Sequence, residues 1–109
     1  MEEYSELLEK LIPGLVDIFQ NQSMQIILYG SVARGTQTEE SDLDIAIILP
    51  LCTKEMHDRM IEFVVDLELE YNRVISVHTI DSHKFAEWED IMPYYQNVKK
   101  DGIVLWPAA

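Results

Sequence analysis

Two short apolar runs most constrain what this chain can fold into. Met24 to Tyr29 and Leu43 to Leu49 have the length of buried β-strands, and Gly30 and Pro50 end them. A third run, Val74 to Ile80, has the two-residue alternation of a strand with one buried face. The chain is therefore expected to build a small sheet.

Helical patterns separate these strands. The predicted helices span residues 4–19, 53–72, 81–88 and 93–102, and a short extended tail follows at residues 103–106. Pro13 predicts that the first helix is kinked or divided in two, and Thr53 is the expected N-cap of the longest one. The order predicts one α/β (α+β) domain over residues 1–109, with helices packed mainly on one face of the sheet.

The charge balance narrows the classes of partner. Twenty acidic against eight basic residues give a net charge of −12, which disfavours a general nucleic-acid binder. A small anion such as a nucleoside triphosphate needs a metal ion or a local dipole to bind such a surface. The longest apolar run has eight residues, Ile45 to Cys52, so no membrane-spanning helix is expected. Cys52 is the single cysteine, which favours a cytoplasmic protein.

The chemistry is concentrated in a glycine-rich turn and an acidic pair. The turn reads Gly-Ser-Val-Ala-Arg-Gly from Gly30, and ten residues separate Ser31 from Asp42. Gly30 allows a sharp turn and the close approach of a ligand. If Ser31 opens a short helix, its hydroxyl and the free amides there favour a phosphate, and Arg34 lies about one turn further on.

Asp42 and Asp44 are two residues apart at the start of a predicted strand. Their side chains therefore leave the same face of the strand, where two carboxylates repel each other unless a cation lies between them. Oxygen ligands at this spacing suit Mg²⁺ (or Mn²⁺), whose remaining ligands are water and substrate phosphates. A phosphate site beside a metal site is what phosphoryl or nucleotidyl transfer requires.

These motifs together resemble those of the DNA polymerase beta-type nucleotidyltransferases. Gly30-Ser31, ten residues, and then Asp42-Leu43-Asp44 follow that pattern, and the Ala-Arg-Gly after the serine is similar to the minimal nucleotidyltransferases. The resemblance implies a mixed three-stranded core sheet, Ser31 against the triphosphate of a nucleotide such as ATP, and two divalent ions held by the aspartates. It also implies AMP transfer to an acceptor hydroxyl and a small helical partner, commonly a HEPN-type toxin.

One position departs from the pattern. Family members usually supply a third carboxylate from the next strand, and Ser76 stands at that position in this chain. Alternation predicts that Ile75 and Val77 face the core, whereas Ser76 and His78 face the other way. Three interpretations remain open: His78 accepts the proton, the reaction proceeds slowly on two aspartates, or catalysis is lost.

The departure therefore leaves two classes of function. The first is a metal-dependent nucleotidyltransferase, and the second is an inactive, antitoxin-like subunit that binds a nucleotide or a protein. A homodimer in which the second copy supplies the missing base is a further alternative. Core packing is expected for the aromatic residues Trp88, Tyr94 and Tyr95, with a protein interface as the alternative.

Overall fold

A mixed sheet of four strands organises the described part of the chain, residues 4–20, 22–38 and 40–107 of a computed structural model. The strands are β1 (Gln25–Tyr29), β2 (Leu43–Leu49), β3 (Ile75–Asp81) and β4 (Ile103–Trp106). They lie in the order β3-β2-β1-β4. β1 is antiparallel to both β2 and β4, whereas β2 and β3 are parallel.

The described residues also form five helices, of which the first precedes the sheet and the other four connect its strands. They are α1 (Ser5–Ile18), α2 (Gly30–Arg34), α3 (Lys54–Tyr71), α4 (Ser82–Trp88) and α5 (Pro93–Asp101). α1 continues through Pro13, so the alternative of two short helices is wrong. The predicted N-cap is confirmed, because the Thr53 hydroxyl accepts a hydrogen bond from the Met56 amide at 3.1 Å. None of the described helices combines the length and apolarity needed to cross a membrane.

The larger core lies between one face of the sheet and the two long helices, α1 and α3. Alternate residues of β2 point into it, among them Ile45 and Ile47, and α3 contributes Met60 and Val64. α3 also forms the crossover that two parallel strands require. The expectation that helices pack mainly on one face is therefore met by the two long helices.

A smaller core covers part of the opposite face. It joins Ile27, Ala46 and Ile48 of the sheet to Val98 of α5, and Phe85 of α4 packs against it. The intervening residues of β1 and β2 face the larger core, so the two cores share the sheet as a common wall.

The predicted extended tail is a strand of the sheet. β4 pairs with β1, which makes four strands where the resemblance implied three. The chain can return at this point because Gly102 has no side chain: a Cβ there would overlap the Val98 carbonyl and the Ile27 side chain. No local sequence pattern predicts this pairing, because β1 and β4 are far apart in sequence.

Candidate functional site

The sheet register brings four side chains together at one end of the smaller-core face. Asp44 of β2 lies opposite Tyr29 of β1 on one side and Ser76 of β3 on the other. His78 lies two residues further along β3, opposite Ala46. Because alternate residues of a strand share a face, the four side chains lie on the face that α4 and α5 partly cover.

The turn after β1 is in direct contact with Asp44. Gly30 has φ of +78°, in the left-handed region that disfavours residues with a side chain. A Cβ at this position would overlap the Oδ2 atom of Asp44. The glycine therefore permits both the sharp turn and the close approach of the carboxylate to the backbone.

The short helix predicted at Ser31 is confirmed as α2, which begins at Gly30. No side chain within the described residues caps its N-terminus, so its first amide groups have no side-chain acceptor. Amide groups in this position favour an anion. The helix ends at Gly35, whose amide donates to the Val32 carbonyl at 3.2 Å.

Arg34 connects α2 to α5. Its Nη1 atom lies 3.3 Å from Oδ2 of Asp101, and about half of the Arg34 side chain is exposed. Such an exposed ion pair contributes about 0–1 kcal/mol to stability. Arg34 also lies close enough to Asp44 to oppose the rise in the pKa of that carboxyl. Its guanidinium is therefore shared between a structural pair and the site.

The negative charge of the acidic pair is compensated only in part by its neighbours. Partial burial raises the pKa of Asp44, and the neighbouring Asp42 carboxylate raises it further, while His78 and Arg34 act in the opposite direction. A cation held between the two carboxylates would relieve their repulsion. No three His, Cys, Asp or Glu side chains of the described residues come together as ligands. The pair alone suits Mg²⁺, which usually takes one or two protein carboxylates.

Tyrosines of β1 and α5 form one wall of the site. The hydroxyls of Tyr29 and Tyr94 lie 3.1 Å apart, and the Tyr94 ring meets Tyr29 and His78 edge to face. Burial raises the pKa of both tyrosines, so both remain protonated near neutral pH. Core packing was the expectation for Tyr94, but the structure places it beside the site. Because these contacts join distant parts of the chain, no local pattern predicts them.

Ser76 lies beside Asp44, at the position where the sequence resemblance implies a third carboxylate. The predicted alternation of β3 is confirmed: Ile75 is buried and Val77 packs against the larger core, whereas Ser76 lies beside Asp44. The Ser76 hydroxyl is 3.2 Å from Nε2 of His78, so these two side chains form a hydrogen-bonded pair. No carboxylate stands at this position of β3.

Asp81 has a capping role at the far end of β3. Its Oδ1 atom accepts hydrogen bonds from the amides of His83 and Lys84 at 2.8 and 3.1 Å. These bonds lower the pKa of Asp81. A cavity of about 200 Å³ at the same end is lined in part by Leu49 and Cys52, away from the acidic pair. Neither feature belongs to the candidate site.

Comparison with known proteins gives a family and a fold. The nucleotidyltransferase domain model matches residues 8–102 of the chain. Two candidate protein adenylyltransferases of Methanocaldococcus jannaschii are similar in sequence. One is 30% identical over 99 residues, which is 91% of this chain and 94% of that protein. The other is 29% identical over 75 residues, 68% of this chain and 76% of that protein.

Two solved structures share the fold. One is a toxin–antitoxin with AMP-PNP, with a TM-score of 0.61 and 24% identity over 93% of this chain and 73% of that one. The other is a mutant of the toxin–antitoxin MntA-HpeT, with a TM-score of 0.61, 22% identity and the same coverage, 93% and 73%. At these identities the likeness concerns the fold.

Proposed function

Because the chain belongs to the nucleotidyltransferase domain family, we propose that it transfers AMP from ATP to a hydroxyl group of a partner protein. The fold expected from the sequence motifs is confirmed. The contact between Gly30 and Asp44 carries the proposal. It brings a turn suited to phosphate against the Asp44 carboxylate, which together with Asp42 would suit a divalent cation.

Each proposed role follows from the chemistry of the side chain. Asp42 and Asp44 would hold Mg²⁺ or Mn²⁺, which supplies charge neutralisation for the triphosphate and the departing pyrophosphate when it is bound. The Ser31 hydroxyl and the first amides of α2 would bind triphosphate oxygens. Arg34 adds a positive charge at the end of the same short helix.

On β3, the position beside Asp44 offers no carboxylate to receive the proton of the acceptor hydroxyl. Ser76 cannot act as a base near neutral pH, whereas an imidazole is a common proton acceptor in enzymes. His78 shares a face with Asp44 and is hydrogen-bonded to Ser76. We therefore expect slow transfer that rests on the two aspartates, with His78 as the candidate proton acceptor.

Relatives support the substrate and partner classes of this proposal. Two relatives carry the name of candidate protein adenylyltransferases, and one structure of the same fold is a toxin–antitoxin with AMP-PNP. We accordingly propose ATP as the donor and a small helical protein of HEPN type as the acceptor. Assembly of two copies of this chain is not needed for the proposal.

The direct test is label transfer from α-labelled ATP in the presence of Mg²⁺. The acceptor is the protein encoded by the neighbouring gene. The transferase added is the wild-type chain, Asp42→Asn or Asp44→Asn. We expect labelled acceptor with wild type only. Glu9→Gln is the matched control and should label the acceptor like wild type, since it removes an exposed charge from α1, on the other side of the sheet. Equal labelling by all four proteins would remove the aspartates from the mechanism.

A second candidate function is an inactive subunit that binds a nucleotide or a partner. The serine beside Asp44 in place of a carboxylate favours it. This alternative predicts ATP binding, or partner binding alone, without label transfer. It also predicts that Ser76→Asp restores no transfer.

A further inference from the structure

An exposed face of α3 carries a row of large apolar side chains that the fold does not use. α3 buries Met60, Val64 and Leu67 against the sheet. Elsewhere on the same helix, Ile61, Val65 and Leu69 are 45%, 43% and 77% exposed. Residues four apart lie one above another on a helix, so the three form a continuous stripe about 12 Å long.

An acidic row runs beside this stripe. Asp58, Glu62, Asp66 and Glu70 are also spaced by four residues, and the first three each lie three positions before a member of the apolar stripe. Positions three apart are neighbours on a helix surface, so the two rows are adjacent.

Only the ends of the acidic row are neutralised. Lys54 lies 4.0 Å from Asp58, and Lys10 of α1 pairs with Glu70. In the described part of the chain, the two central carboxylates, Glu62 and Asp66, form no ion pair. The middle of this face therefore offers aligned apolar side chains and two free negative charges together.

We propose that this face binds an amphipathic helix of a partner protein, with an apolar stripe flanked by lysine or arginine. Single exposed apolar residues are ordinary on protein surfaces, but a contiguous row indicates an interaction site. A helix laid along α3 would cover the stripe, and its basic row would meet Glu62 and Asp66. A second copy of this chain fits less well, because each copy carries a net charge of −12.

The proposed surface is separate from the candidate site. α3 packs on the larger-core face of the sheet, whereas Asp44 lies on the face partly covered by α4 and α5. A partner helix bound to α3 would therefore leave the acidic pair accessible. The inference specifies the chemistry of a protein partner and does not require the chain to transfer nucleotides.

The test uses a designed helical peptide with a leucine stripe beside a lysine row, labelled for fluorescence anisotropy. A matched peptide has glutamate in place of every lysine. We expect wild type to bind the lysine peptide and not the glutamate peptide. Leu69→Ser and the double variant Glu62→Lys/Asp66→Lys should each weaken binding by about tenfold or more, the equivalent of ~1.4 kcal/mol. All three changed side chains are exposed, so the variants should fold, which circular dichroism checks.

A matched control separates local recognition from general charge attraction. Glu9→Lys/Glu87→Lys makes the same change in charge at exposed positions on α1 and α4, and should leave binding nearly unchanged. Equal weakening by both double variants, unchanged binding by Leu69→Ser, or no binding by wild type would each overturn the proposal. A wild-type dimer that Leu69→Ser dissociates would assign the face to a second copy instead. Label transfer from ATP is measured separately, so either proposal can fail alone.

Discussion

Gly30 and Gly35 have almost the same φ angle in different surroundings. Their φ angles are +78° and +75°. A Cβ at Gly30 would overlap the Asp44 carboxylate. Within the described part of the chain, a Cβ at Gly35 would have no atom within 4 Å apart from those of its two chain neighbours. The two positions therefore separate the effect of the backbone from the effect of close approach.

This difference predicts different results for the two alanine variants. Gly35→Ala should lose roughly 1–2 kcal/mol of unfolding free energy through backbone strain and keep its affinity for ATP with Mg²⁺. Gly30→Ala should lose more stability and also lose ATP affinity, because the carboxylate must move. Urea unfolding and calorimetry measure the two quantities. Equal ATP affinity in both variants would contradict the proposed contact.

The pH dependence of stability tests the electrostatics of Asp44. Its pKa in the folded state is raised above the ordinary value of 3.8, chiefly by burial. The stabilisation from this group is therefore fully present below that value and is lost as the pH rises through the folded-state pKa. Asp44→Asn should be more stable than wild type near neutral pH, and the difference should shrink as the pH falls toward 3.8.

Asp81→Asn is a control for which the expected change in stability has the opposite sign. Hydrogen bonds from two backbone amides lower the pKa of Asp81, so its stabilisation is present above the ordinary value of 3.8 and is lost as the pH falls. This variant should be less stable than wild type near neutral pH. Thermal unfolding followed between acidic and neutral pH measures both differences. If both variants changed stability in the same direction, burial would not be the main influence on the pKa of Asp44.

At the scale of elements, local patterns predicted the helices and strands better than their contacts. The N-cap at Thr53, the ends of β2 and the ends of α5 follow from residues adjacent in sequence. The pairing of β4 with β1 depends on residues far apart in sequence. The site shows the same difference. Its glycine turn and aspartates form a local motif, whereas the wall of Tyr29 and Tyr94 depends on a contact between distant residues.

The pairing of β2 with β3 means that a substitution at Ser76 can test whether the site is active. Its position beside Asp44 would place a third carboxylate on the face of the acidic pair. Ser76→Asp should therefore raise Mg²⁺-dependent label transfer, by about tenfold or more if the new carboxylate acts as a general base. Ser76→Asn is the uncharged control and should give no increase. No gain with aspartate would favour proton transfer to His78 or an inactive subunit.

For the whole molecule, the dominant physical property is the excess of negative charge. A net charge of −12 on 109 residues makes the folded chain repel itself, and the long acidic row on α3 contributes to this repulsion. Salt at moderate concentration screens interactions between exposed charges. Because of this excess, we expect the proposed binding of ATP to depend on a cation.

Added salt should therefore stabilise the free protein. Raising NaCl from about 0.02 M to about 0.2 M shortens the screening length from roughly 20 Å to roughly 7 Å. We expect the Tm to rise, by about 4–8 °C for each kcal/mol of repulsion that is screened. Differential scanning calorimetry measures the change. A Tm that falls with NaCl would mean that the few attractive ion pairs outweigh the general repulsion.

The central claim is that the Gly30-Ser31 turn and the acidic pair form one site for a triphosphate and its cation. Titration calorimetry of ATP into wild type, Asp44→Asn and the control Asp66→Asn, each with and without Mg²⁺, tests it most directly. We expect binding to wild type and Asp66→Asn only when Mg²⁺ is present, and at least about tenfold weaker binding to Asp44→Asn. Equal affinity of all three proteins for ATP, or no binding by wild type, would contradict the account.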